Sequence, residues 1–133
     1  MIDIENEIVD YITDALTKEF PNVTVYGDSA LVPSSFPCVT IEEADNYSYE
    51  KTQDSGSLEN HAVLMYEINV YSNRAGSKKS ECKKIFAFVD SLFQKIGFTR
   101  TTQSRISINT ATDYRLLGRY RAVAGKNKMI YGG

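Results

Sequence analysis

The segment Ala62-Val63-Leu64-Met65-Tyr66-Glu67-Ile68-Asn69-Val70-Tyr71-Ser72 decides the fold class. Leu64, Tyr66, Ile68 and Val70 alternate with Met65, Glu67, Asn69 and Tyr71, the two-residue period of a half-buried strand. A sheet with one apolar face must cover that face, and the sequence on either side supplies two covers. Downstream, Cys82, Ile85, Phe86, Val89, Leu92, Phe93 and Ile96 recur at helical spacing, predicting a helix over about 78–96 with Gly97 as its C′ residue. Upstream, Ile4, Ile8, Tyr11, Ile12, Ala15 and Leu16 form a second stripe over about 3–19. Asp3 is a natural N-cap for it, Lys18 suits its end, and Pro21 cannot continue it.

Further strand-like runs lie at Val23–Tyr26, Cys38–Ala44, Phe98–Thr102 and Tyr114–Ala124, with a shorter one at Ile106–Ile108. The expected fold is therefore α+β: one domain, 1–133, with a mostly antiparallel sheet of four to five strands and two helices packed on one face. Ile8, Ile12, Leu16, Ile85, Val89 and Leu92 are the expected core, each contributing roughly 1.5–3 kcal/mol on burial. In the last run Arg115, Arg119 and Arg121 share one side by alternation. Three unpaired arginines are too costly to bury, so that face meets water, carboxylates or a partner.

Two stretches carry no period. Pro33-Ser34-Ser35-Phe36-Pro37 reads as an extended connection. Residues 45–60 read as a long polar loop or arm, in which Tyr47 and Tyr49 are suited to anchoring on a partner surface.

Charge is sorted along the chain. Residues 1–60 hold 13 Asp and Glu against Lys18 and Lys51, a formal −11, while residues 61–133 hold 13 Lys and Arg against four acids, a formal +9. Such polarity allows one copy to attract another, acidic surface to basic surface. Equally, a sheet that interleaves the halves can pair the charges internally.

Chemistry is hard to find. His61 is the single histidine and starts a strand, and no nucleophile elbow or Cys/His signature accompanies it. Glu42 and Glu43 are adjacent on a strand and point to opposite faces, so with Asp45 they do not converge on a metal. Cys38 and Cys82 read as buried, reduced thiols, too few for a zinc site with one histidine. Gly76-Ser77-Lys78-Lys79 lacks the first glycine of a phosphate loop. Lys78, Lys79, Lys83 and Lys84 form a basic patch, suited to nucleic acid, solvent or an acidic protein, and a pI near 5.4 argues against a dedicated DNA binder. No cofactor and no catalytic residue is expected. The acidic start lacks a signal peptide's basic flank and apolar core, and no apolar run is long enough to cross a bilayer, so a cytoplasmic residence is the default.

Three segments carry a resemblance. They are Pro33 through Asp45 (PSSFPCVTIEEAD); Tyr66 through Asn73 (YEINVYSN) with Lys78-Lys79-Ser80-Glu81-Cys82-Lys83; and Gly97-Phe98-Thr99-Arg100-Thr101 with Tyr114-Arg115, Arg119-Tyr120 and Ile130-Tyr131. Their order and spacing resemble tail terminator, or tail completion, proteins of long-tailed phages and prophages of Gram-positive bacteria. That resemblance implies a small α+β domain assembling as a hexameric ring that caps the tail tube, stops its growth and offers a surface to the head connector. The implied partners are other copies of the chain, the tail tube protein and a head-completion protein; the implied place is the head-proximal end of the virion tail. Other readings are a different neck or connector subunit, a small regulatory or nucleic-acid-binding protein, or an enzyme. From the arm and the charge pattern, the expected interface residues are Tyr47, Tyr49, Glu42, Glu43, Asp45, Arg115, Arg119 and Arg121.

Overall fold

The computed structural model describes residues 3–27, 36–48, 61–105, 114–125 and Ile130. Two helices and five strands follow in the order α1 (Glu5–Glu19), β1 (Thr24–Tyr26), β2 (Cys38–Ser48), β3 (His61–Ser72), α2 (Lys78–Lys95), β4 (Thr99–Arg105) and β5 (Tyr114–Gly125). The strands form one mixed sheet ordered β1-β2-β3-β5-β4, in which only β1 runs parallel to its neighbour. The α+β class, the mostly antiparallel sheet and the two helices over one face agree with the sequence reading.

The helix-covered side is one continuous core. Ile8, Ile12 and Leu16 from α1 and Ile85, Val89 and Leu92 from α2 are buried, as the two apolar stripes predict. They meet Ile41, Leu64, Tyr66, Ile68, Val70, Leu116 and Tyr120 from the sheet. Aromatic rings organise its centre: Phe93 stacks on Tyr120 with centroids 4.5 Å apart, and Phe98 stands edge-on to both Phe93 and Tyr66 at 5.3 and 5.6 Å.

The C-terminus of α2 shows how a local rule fixes a global position. Gly97 takes φ +93°, donates to the Gln94 carbonyl at 3.1 Å, and Phe98 N–H reaches the Phe93 carbonyl at 2.9 Å. This Schellman arrangement requires a residue without a Cβ penalty at C′, and it brings Phe98 onto Phe93 as the chain leaves for β4. The start of α1 differs by one cap from expectation. Ile4 occupies the N-cap position, and the Asp3 carboxylate accepts the Glu5 N–H at 3.1 Å from one residue further out.

Two corrections to the expected elements have physical causes. Asp45 through Ser48, read as the beginning of an arm, belong to β2 and pair with Met65 through Ala62. A register shift between Glu43 and Asp45 breaks the alternation there, which is why the run looks irregular in sequence. The rest of the expected arm, 49–60 with Tyr49, and the expected strand at Ile106–Ile108 lie outside the described residues. Finally, β3 is not half-buried. Val63, Asn69 and Tyr71 on its second side are buried too, and side chains of the flanking strands stand against them: Arg115 of β5 bonds Asn69 and lies over the Tyr71 ring, and Tyr47 of β2 stands opposite Val63.

The two sheet edges differ in kind from the centre. β1 is three residues long, and β4 carries a register shift between Arg100 and Thr102.

Candidate interaction surfaces

The side of the sheet without helices is built by register. Thr40 stands opposite Asn69, Glu42 opposite Glu67 and Tyr47 opposite Val63; across β3 and β5, Glu67 faces Arg119, Tyr71 faces Arg115 and Met65 faces Arg121. The arginine side is thus real, and two of its three guanidinium groups are used within the chain. Arg119 Nε and Nη2 each donate to Glu67 Oε1 at 3.2 Å, the pair being 50% and 19% exposed. Arg115 Nε donates to Asn69 Oδ1 at 2.9 Å, and its guanidinium carbon lies 5.3 Å from the Tyr71 ring centroid. Arg121 is half-buried, and its side chain has no ion-pair partner among the described residues. Tyr47, 47% exposed, is the large hydrophobic side chain most open to solvent among the described residues.

The expected acidic partners separate. Glu42 lies on the arginine side beside Glu67. Glu43 lies on the helix side, where its backbone N–H donates to Glu5 Oε2 at 3.3 Å and its carboxylate accepts the Tyr66 hydroxyl at 3.3 Å. Burial and the neighbouring Glu5 charge raise the Glu43 pKa above its ordinary value. Burial, reinforced by Glu43, raises that of Tyr66 as well, so the phenol stays protonated and donates. Asp45 is exposed and accepts the Asn46 N–H at 2.9 Å. The expected site residues therefore do not form one cluster: Glu43 is a structural acceptor, Arg115 and Arg119 are engaged locally, and Tyr47, Asp45 and Arg121 remain outward-facing.

Sequence reasoning missed Glu67 and Asn69, the residues that hold the arginines. Their alternation with the apolar set was visible, but which arginine each would meet depends on a strand register that no local pattern encodes.

The helix layer has its own charged faces. Glu7, Asp10 and Asp14 on α1, with Asp3 just before it, recur at intervals of four, three and four residues, and all four are exposed. On α2, Lys79, Lys83 and Lys84 are exposed and border an open depression that Gly76, Ser77 and Ala87 also line. A second cleft lies between the end of α1 and the start of α2, bounded by Phe20, Pro21, Arg74, Ser80 and Ile85.

Neither cysteine is in a disulfide, and both are buried. The Cys82 thiol lies 3.5 Å from the Val70 carbonyl and 3.3 Å from that of Tyr114; burial pushes it up to about 12, which keeps it protonated and unsuited to nucleophilic work. Among the described residues no group of three His, Cys, Asp or Glu side chains could hold a metal ion, and no helix is long and apolar enough to cross a membrane.

No family model matches the chain, and no curated protein matches it in sequence. Its fold is nonetheless shared with a solved chain from the virion of a native gene transfer agent particle. The two superpose with a TM-score of 0.64 over 90% of this chain and 92% of that one, at 17% sequence identity.

Proposed function

We propose that this chain is a structural component of a virion and, more finely, a tail terminator: a non-enzymatic ring subunit, expected as a hexamer, that caps the tail tube and offers a surface for head joining. The observation that carries the reading is the fold it shares, over nearly the full length of both chains, with a chain of a gene transfer agent virion. The three sequence segments that resemble tail terminators support the finer step. Several of them sit at structurally determined positions: Tyr66 and Ile68 in the core, Gly97 and Phe98 in the helix-to-strand turn, Tyr120 stacked on Phe93.

Within that reading the outward-facing groups of the sheet, Tyr47, Asp45 and the half-buried Arg121, are contact residues toward a copy or a partner, with Glu42, Arg115 and Arg119 on the same side; Tyr49 is proposed as a further contact from the sequence alone. Tail tube protein and a head-completion protein are the partners beyond other copies, and the head-proximal end of the tail is the location. Electron microscopy of the purified protein, alone and added to polymerising tube protein, tests this. Rings with an open lumen, and tubes that stop growing with density at one end, are expected. Rings that leave tube length unchanged but bind a head connector would favour the connector subunit; protein that forms no ring would overturn both.

A further inference from the structure

We infer that, given the ring reading above, neighbouring copies join through their helix layers, the acidic outer face of α1 on one copy against the lysine face of α2 on the next. The ion pairs among the described residues do not account for the charge sorting of the sequence. Arg74–Glu81, Arg100–Asp90 and Arg119–Glu67 each join two residues of the basic half, so those cations find their carboxylates without drawing on residues 1–60. Asp10 and Asp14 on α1, and Lys79, Lys83 and Lys84 on α2, have no side-chain partner among the described residues although all are exposed.

The two faces also point in suitable directions. α2 lies over β3, β5 and β4, and α1 is tied to β2 through Glu5 and the Glu43 amide, so the two adjacent helices divide the strand order β1-β2-β3-β5-β4, α1 toward its β2 side and α2 toward its β4 side. Phe88 marks the flank of α2 that meets α1, through Phe20 at 5.7 Å between centroids. Asp90 marks the opposite flank, where it receives Arg100 of β4 at 2.9 Å and the Tyr120 hydroxyl at 2.8 Å. Lys79 and Lys83 precede Asp90 by eleven and seven residues, which on a helix puts them on that same outward flank. The negative face of α1 and the positive face of α2 show no ion pair with each other within one copy among the described residues. They are what a head-to-tail contact requires, since a cyclic ring uses two different patches of each subunit.

Charge reversals on the full-length protein, followed by sedimentation velocity at several concentrations, test the pairing. Lys79→Glu with Lys83→Glu should weaken association about tenfold, and so should Asp10→Lys with Asp14→Lys. The quadruple variant carrying all four changes should return to within about threefold of the native protein, because the pairs are restored with reversed sign. Raising the salt should weaken the native association as well, independently of any variant. Native protein that forms rings, with reversals that leave association unchanged or a quadruple variant no better than either double, overturns the helix-layer contact and spares the ring reading. Native protein that stays monomeric at all concentrations overturns both.

Discussion

The two sides of the central sheet use the same strands for opposite ends. On the helix side, β3 and β5 present Leu64, Tyr66, Ile68, Val70, Leu116 and Tyr120, and specificity comes from rings and aliphatics interlocking. On the other side the same strands present Glu67, Asn69, Arg115 and Arg119, joined by oriented charge and hydrogen bonds. A packed side resists change in proportion to the volume disturbed. A paired side, half in water, tolerates loss of a partner and responds to the sign of the charge. Stability should therefore reside mainly on the helix side, and recognition on the charged surfaces.

The sharpest attack on that division is at the ring stack. Phe93→Ala removes the partner of Tyr120, Tyr66 and Phe98 at once and should cost about 3–5 kcal/mol in urea unfolding. A cost near 1 kcal/mol would mean that the helix side is not where stability resides. Next comes Gly118, on β5 beneath α2. A Cβ there would lie 2.5 Å from Phe86 Cζ and 2.8 Å from Cε2. Because Phe86 is itself buried, Gly118→Ala should destabilise by about 1–3 kcal/mol, and adding Phe86→Leu should recover part of the loss. If the second change only adds to the first, the close approach is not the cause.

On the charged side the effects shrink. Arg119→Ala should cost about 0.2–1 kcal/mol, since its pair with Glu67 is partly in water. Arg119→Glu should cost more than the alanine change, because Glu67 then faces a like charge on β5 while Glu42 already stands across from it on β2. Equal effects from alanine and glutamate would show that charge sign does not matter on this side.

The smallest effect has a pH signature. Burial and Glu5 raise the Glu43 pKa in the folded state, so its charged form is penalised there and its proton binds more tightly than in the unfolded chain. Stability from this group therefore falls as pH rises from the ordinary carboxylate value through the raised one. Glu43→Gln keeps an acceptor for the Tyr66 hydroxyl without the charge. It should raise the melting temperature by about 2 °C at neutral pH, a gain that disappears below the ordinary carboxylate range. Melting curves at pH 7 and pH 3.5 decide it; a gain that persists at the lower pH would assign the effect to packing.

What could be read from sequence divides along the same line. The helices, the core set Ile8, Ile12, Leu16, Ile85, Val89 and Leu92, and the Gly97 terminus follow from periodicity and backbone conformation, both local properties. The Glu42 and Glu43 split across the sheet was legible from alternation alone. The bonds of Arg115 to Asn69 and of Arg119 to Glu67 were not, because they span 46 and 52 residues and depend on the register of β3 against β5. The extension of β2 to Ser48 was hidden by its register shift, which interrupts the alternating signal where it would have continued. The acidic stripe of α1 was visible in its four-three-four spacing, but that spacing does not say whether a partner lies within the chain or beyond it.

The shapes of the two sheet edges limit how copies can meet. A three-residue parallel strand offers few backbone groups to an incoming chain, and the irregular register of β4 twists the opposite edge away from straight pairing. Copies placed side by side are thus poorly equipped to zip their sheets into one unbroken ribbon, a mode of growth with no natural end. Contacts made through side chains on rigid helices would set a fixed angle between neighbours instead, and such an angle closes after a definite number of copies when it divides a full turn without a rise along the axis.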